Sequence, residues 1–285
     1  MHLTRTDDHS AQVDALAGRV GLAAVLADLD RRLRRTIAPC LTLHRAWTWE
    51  HADRRDRDWW PQGISMGASG RQALVSWYAT AGGSRISVLD LTRRRYRHVE
   101  LVRLTADGFE PLRVHAGGLA WRGTTVHVAA TKGGLWVCDT DDVVRTARGY
   151  VLPVRHRLQP SEPFRFSFVG ADDDGLVLGE YGNPSASKRL ARGRPDGPIV
   201  LHEAGVPRAQ GAAHVDGSWY VTASHGSWLP GTVWSGPEGQ LRERRYAVPM
   251  GPEDLAYDRA TDRLWTVTEH PGRRWIVALK RRRFD

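Results

Sequence analysis

Residues 252–280 read PEDLAYDRATDRLWTVTEHPGRRWIVALK, and this stretch decides the fold because its plan recurs. A small or turn-prone residue opens a strand. A polar turn, a more apolar strand, a Gly-containing loop and a third strand follow. Four upstream stretches repeat the plan: PQGISMGASGRQALVSWYATAGGSRISVLDL at 61–91, AGGLAWRGTTVHVAATKGGLWVCDTDD at 116–142, RFSFVGADDDGLVLGEYGNPSASKRLARG at 165–193 and AQGAAHVDGSWYVTASHGSWLPGTVWSG at 209–236. Aligned on Gly63, Gly118, Ser167, Gly211 and Asp254, the period is roughly 45 to 55 residues, the length of one four-stranded propeller blade. One such unit cannot bury both faces, so the copies must stack around an axis. The expectation is an all-β, five-bladed β-propeller in five four-stranded sheets.

The last copy ends a few residues after its third strand. Its fourth strand is expected from Leu41–Trp49 (LTLHRAWTW), which would close the ring and remove an open edge. A six-bladed ring would need a degenerate blade inside residues 39–60, a stretch too short for four strands. Upstream, Val13, Leu16, Val20, Leu22, Val25, Leu26, Leu29 and Leu33 recur at helical spacing, with Ser10 as a candidate N-cap and Pro39 as the stop. The domain reading is therefore an N-terminal helical extension over 1–38 and a propeller over 39–285.

Composition is ordinary for a globular chain of 285 residues, with 41% hydrophobic and 26% charged residues. Two cysteines, Cys40 and Cys138, allow at most one disulfide and fit a reducing compartment. No apolar run is long enough for a membrane helix. The only apolar run near the start, Gly21 to Ala27, is flanked by Arg19, Asp28 and Asp30, which is a poor signal peptide. A cytoplasmic location is expected. The net charge is +9, concentrated in arginine clusters at 31–35, 93–95 and 281–283. Their scatter over turns and termini reads as solvated surface, so neither nucleic acid nor membrane is expected as a partner.

The stretch PEDLAYDRATDRLWTVTE resembles the repeat opening of the six-bladed lactonase, gluconolactonase and NHL propellers. HAGGLAW at 115–121, GEYGNPS at 179–185, QGAAHVDGSWYVTASHGS at 210–227 and GPEDLAYD at 251–258 together look like a bacterial family of uncharacterised propeller proteins. The likeness covers roughly residues 60 to 280 and implies the propeller fold. It brings no activity, because propellers host many unrelated functions. Lactonase-type propellers hold a divalent cation on the axis with acidic and amide side chains. Glu253 alone matches such an opening glutamate, and a full set of Asn and Asp partners is lacking. Zinc held by His115, His225 and a glutamate is the metal alternative; the main expectation is that no cofactor is used.

Residues just before each innermost strand should gather at one mouth of the channel: Gln62, His115, Arg165, Gln210 and Glu253. Loops between second and third strands should add Trp77 and Tyr78, Thr131 and Lys132, Glu180, Tyr181 and Asn183, Ser224, His225 and Trp228, and Glu269, His270 and Arg274. A glutamate desolvated at a funnel floor has its pKa raised towards neutrality and can exchange protons with a substrate. Glu253 is read as the general acid or base, assisted by His115 and His225. Gln62, Arg165, Glu180, Tyr181, Gln210, Trp228, Glu269 and His270 are read as substrate-binding, with Arg165 holding an anionic group. The alternative for Gln62, Gln210 and Glu253 is strand capping. Asp139, Thr140, Asp141 and Asp142 spell the Asp-x-Asp-Asp of acid-initiated terpene cyclases, but at a strand exit they read as a turn, as do Asp172 to Asp174.

The functional expectation is a monomeric enzyme of specialised metabolism. It would convert a small organic molecule by non-redox acid–base chemistry: cyclisation, elimination, isomerisation or hydrolysis. The competing expectation is a non-catalytic ligand- or protein-binding propeller, with exposed aromatics on its outer loops.

Overall fold

A computed structural model describes residues 1–182 and 186–285. The chain is all-β, with three short helices at Ser10–Asp14, Gly21–Ala27 and His51–Arg55. Strands Trp59–Met66, Gln72–Ala79, Ser84–Asp90 and Arg95–Thr105 pair antiparallel in succession. The same meander recurs over Ala116–Arg122, Thr125–Ala130, Gly134–Asp139 and Gly149–Pro160. It recurs again over Phe168–Ala171, Leu176–Gly179, Arg189–Gly193 and Ile199–Glu203, and over Ala209–Val215, Ser218–His225, Leu229–Gly236 and Arg242–Val248. The last run comprises Pro252–Asp258, Arg263–Thr268 and Trp275–Lys280.

The strand that completes this last run comes from the other end of the chain. Leu43–Thr48 pairs with Trp275–Lys280, with Trp47 opposite Ile276 and Ala46 opposite Val277. The ring therefore closes where the sequence placed it. The sheets themselves number four among the described residues, not five. The fourth strands of the first two meanders are long, and Val99–Val102 pairs in parallel with Tyr150–Pro153, which fuses both meanders into one sheet.

Each innermost strand lies against its neighbours around a common axis: Trp59–Met66 touches Ala116–Arg122 and Pro252–Asp258, and the rest follow in chain order. These strands read as near-continuous buried runs because they are covered on both faces. The approach is so close that a Cβ on Gly118 would sit 2.3 Å from the backbone nitrogen of Val169. One on Gly211 would sit 2.2 Å from the carbonyl carbon of Asp254. Only glycine tolerates such contact between backbones.

The single long helix expected from Ser10 onward is not formed. Gly18 and Gly21 adopt left-handed backbone at φ 75° and 67° and break it into Ser10–Asp14 and Gly21–Ala27. Asp8, rather than Ser10, supplies the side-chain acceptor at the helix start, taking the N–H of Ser10 at 2.9 Å. Beyond them the chain turns extended: Arg31–Arg32 pairs with Arg95–Thr105, and Arg34–Thr36 with Leu43–Thr48. The apolar spacing was real but serves packing. Val25 joins the core of the first two meanders and Leu33 the core around Trp47, Trp49 and Trp265. Both cysteines are free. Among the described residues, no helix is long and apolar enough to cross a membrane.

Candidate functional site

The site begins with backbone irregularity. Four of the innermost strands slip register at matching places: between Pro61 and Ile64, Ala116 and Gly118, Ala209 and Gly211, and Glu253 and Ala256. Such bulges re-aim side chains and recur beside functional sites. Here they turn Gln62, Gln210 and Glu253 into one cluster. Gln210 Nε2 donates to Glu253 Oε1 at 3.2 Å. Gln62 Nε2 donates to Glu269 Oε2 at 3.0 Å. Glu269 lies just past the end of Arg263–Thr268, on the loop the sequence assigned to this mouth.

The two carboxyls face one another within hydrogen-bonding reach. Burial pushes Glu253 well above the usual glutamate range, and the charges of Glu269 and Asp254 push it further. Burial also raises Glu269, opposed by the N–H of Gln62 and the positive charge of Arg274. Two carboxyls this close in a largely desolvated site do not both ionise readily. The upward shift is the greater at Glu253. Glu253 is buried, whereas the Glu269 side chain keeps 21% of its surface exposed. Tyr78 adjoins the pair, and both carboxylates raise its pKa after burial itself. Its ring lies 4.3 Å from that of His115.

Beneath the pair sits a residue that the sequence alignment treated only as a register mark. Asp254 is fully buried at a positive φ of 33°. Its Oδ2 accepts from the backbone N–H groups of Ile64 at 3.0 Å and Leu119 at 3.1 Å, and its Oδ1 from Leu255 at 2.9 Å. It thus ties three segments of the ring together at the column otherwise filled by Gly63, Gly118, Ser167 and Gly211. Burial pushes its pKa up to about 8 against those three donors. An acidic residue in a column of small ones was the available signal.

Other expected site residues go elsewhere. Glu180 is buried in a closed set of bonds with the Arg189 guanidinium, the Ser187 hydroxyl and the Arg165 backbone N–H. These partners hold its pKa down at about 2 against the effect of burial. Arg165 itself is half-buried. His225 is set outward, its Nε2 2.7 Å from the Thr232 hydroxyl, in a 190 Å³ cleft with Leu229 and Tyr246. Trp228 is 77% exposed with the Arg273 guanidinium 4.0 Å over its ring, and Tyr181 is 39% exposed. His270 packs on Trp60 and Gly251, 3.7 Å from Glu269. Asn183 lies outside the described residues. Trp77 is no loop residue: it is fully buried in Gln72–Ala79, edge-on to Trp49. The Asp-rich motifs are turns, as read. Asp139 accepts from the Asp141 N–H, and buried Asp142 pairs with Arg19 and Arg155. The Asp172 N–H donates to the Gly175 carbonyl.

A second buried network resembles a nucleophilic triad in order. Ser87 Oγ lies 2.8 Å from His98 Nδ1, and His98 Nε2 lies 3.1 Å from Asp53 Oδ2. The geometry fails as catalysis because Ser87 is fully buried and its oxygen accepts from Trp77 Nε1 at 2.8 Å. Donors and acceptors balance with a neutral His98, whose pKa burial lowers to about 4. Asp53 also pairs with Arg31 and Arg85 and accepts from the Tyr96 hydroxyl. This is a structural tie.

The axial residues do not fit the cation suggested by the lactonase resemblance. Both amides turn N–H groups towards the carboxyls, and no group of three His, Cys, Asp or Glu side chains among the described residues is arranged around a common point.

No protein-family model matches the chain, and no curated protein sequence matches it. Solved structures are similar along most of its length. A gluconolactonase from Xanthomonas campestris covers 88% of this chain and 96% of its own at 14% identity, with a TM-score of 0.48. A luciferin-regenerating enzyme covers 88% of this chain and 79% of its own at 12% identity and TM-score 0.46. A chain of a nidogen–laminin complex covers 84% and 86% at 10% identity and TM-score 0.47.

Proposed function

We propose that the meanders act as five blades of a propeller, and that the chain is an enzyme converting a small organic molecule by proton transfer at the axis. The observation that carries this reading is the pairing of buried Glu253 with partly exposed Glu269, held by Gln210 and Gln62 at matching bulges. A strand cap needs only an acceptor. A desolvated carboxyl pair sharing a proton supplies both an acid and a base near neutral pH. Glu269, the more exposed member, meets the substrate and moves the proton. Glu253 behind it stores the proton and sets the affinity of Glu269 for it. Tyr78 and His115 form an aromatic wall beside the pair. The reaction class is non-redox: cyclisation, elimination, isomerisation or hydrolysis, in the setting of specialised metabolism. The working form we take is a monomer, and the two free cysteines suit a reducing, cytoplasmic setting.

The test is incubation of wild type, Glu253→Gln and Glu269→Gln with metabolite extracts, followed by mass spectrometry. Compounds consumed by wild type should be turned over about 10² to 10⁴ times more slowly by either variant, the usual contribution of general acid–base catalysis. Equal consumption by all three would end the reading.

One observation favours the non-catalytic reading. Trp228, Leu229 and Tyr246 of the fourth meander are each exposed, the last two lining one cleft, and exposed apolar groups in contiguous patches mark binding surfaces. Under that reading Trp228→Ala abolishes binding of a partner while both glutamine variants bind normally.

A further inference from the structure

We propose that the cleft between the closing strand and the first meander is a binding site for a small, multiply charged phosphate-type anion. The cleft has a volume of about 530 Å³. Its rim carries Arg35, Arg45, Arg71, Arg94 and Arg263, with His44 beside them, and no carboxylate lines it. None of the five arginines forms an ion pair among the described residues. Within the cleft Arg263 donates to the Thr261 carbonyl at 2.8 Å, and several arginines elsewhere have carbonyl or carboxylate partners. Arg93 and Arg95 donate to the carbonyls of Leu26 and Leu29. Arg31 pairs with Asp53, and Arg281 with Asp262 and Asp285. The clefts holding Arg122 and Arg192 also hold Asp173 and Asp174. The fold thus takes one arginine from each of two sequence clusters, Arg35 and Arg94, and sets them beside three isolated ones.

Two further features describe the cleft. Arg94 adopts left-handed backbone at φ 56°, a conformation that favours glycine or asparagine and that sets the direction of its side chain at the rim. Burial lowers the pKa of His44, and the positive charges of Arg263, Arg45, Lys280 and Arg35 around it lower it further. The carboxylate of Asp258 lies behind Gly70 but is engaged by the Thr261 hydroxyl and the Ala260 N–H. Guanidinium groups bind phosphate oxygens through paired N–H donors. Several of them around a bounded cleft, rather than along an extended stripe, suit a compact oligophosphate more than a nucleic-acid strand.

The experiment is calorimetric titration of the full chain with tripolyphosphate at low and physiological salt. One site per chain is expected, weakening as salt rises. Arg94→Gly relieves the left-handed strain and should melt at or above the wild-type temperature while binding about fivefold more weakly, as loss of one partly exposed ion pair implies. The triple variant Arg35→Gln, Arg45→Gln, Arg263→Gln should lose detectable binding. Should Arg94→Gly not fold, Arg71→Gln serves in its place. The proposal is overturned if wild type does not bind, or if groove variants bind as wild type does. It also fails if Arg244→Gln with Arg245→Gln, on the outer strand of the fourth meander, weakens binding equally. Displacement of tripolyphosphate by single-stranded DNA with length-dependent affinity would reassign the groove to nucleic acid and likewise overturn it. Activity at the axis should be the same in Arg94→Gly and wild type, so this result is independent of the proposed chemistry.

Discussion

The carboxylate of Asp254 accepts the backbone N–H of Leu119 at 3.1 Å, across 135 residues of chain. The same oxygen takes the N–H of Ile64, so one side chain joins the innermost strands of the first, second and last meanders. The strands that carry Gln62 and Glu253 are therefore held together by the residue next to Glu253.

That tie predicts a stability effect. Asp254→Asn keeps the size but turns one polar end from acceptor to donor, leaving a buried N–H unsatisfied. The cost should be about 1–3 kcal/mol, read as a lower midpoint in chemical denaturation. Asp254→Gly restores the small residue of the other meanders and relieves the positive φ. It also orphans the amides of Ile64 and Leu119, and should destabilise as well.

The pH dependence follows from the same group. The folded pKa of Asp254 is raised to about 8, above its unfolded value of about 4. The folded state thus binds a proton that the unfolded chain releases. This stability is complete below the unfolded pKa and is lost as pH rises through about 8. Glu253 and Glu269 are raised too and act with the same sign. His98, His127 and His156, all lowered to about 4, act oppositely, costing stability as pH falls below about 6.5. Between pH 7 and 8 the raised carboxyls dominate. Denaturation midpoints should fall across that interval, with each carboxyl contributing at most about 1.4 kcal/mol per pH unit. In Asp254→Asn the fall should be shallower.

Much of this arrangement is legible in the sequence. Gln62, Gln210 and Glu253 could be aligned because a repeated meander puts equivalent residues at equivalent bulges. The closing strand could be placed because the last repeat lacks one. What was not legible depended on partners distant in sequence or on backbone angle. Glu180 reads like a site carboxylate, but Arg189 and Ser187 fold back and neutralise it. Trp77 reads as a loop residue because the polar turn follows closely, yet its strand runs on to Ala79. The helical period over residues 10–35 is interrupted by two left-handed glycines, and its later leucines, Leu29 and Leu33, are buried beside two short strands rather than on a helix. Asp254 looked like a variant of glycine in its column, and nothing local reveals that two other strands supply its donors.

The Ser87–His98–Asp53 chain yields a negative prediction. A fluorophosphonate or sulfonyl fluoride reagent should leave Ser87 unmodified, as checked by peptide mass spectrometry. Ser87→Ala should destabilise the fold by about 1–3 kcal/mol, because Trp77 Nε1 and His98 Nδ1 lose their partner in the core. Turnover at the axis should not change.

Closure of the ring predicts the effect of truncation. Removal of residues 1–49 deletes the strand paired with Trp275–Lys280, together with the Trp47–Trp265 stack. It leaves an open apolar edge, which promotes association. The truncated chain should be insoluble or lack a cooperative melt. A soluble, cooperatively folding product would show that Leu43–Thr48 is dispensable.

The most direct measurement concerns the proton itself. In protein labelled with carbon-13 at the glutamate carboxyls, a pH titration by nuclear magnetic resonance resolves each glutamate. The account predicts one carboxyl titrating far above the usual glutamate pKa of about 4.3. That signal should vanish in Glu253→Gln and move back towards the ordinary range in Glu269→Gln. If every glutamate of the folded wild type titrates in the ordinary range, Glu253 and Glu269 share no proton and the axial site is not the acid–base centre proposed.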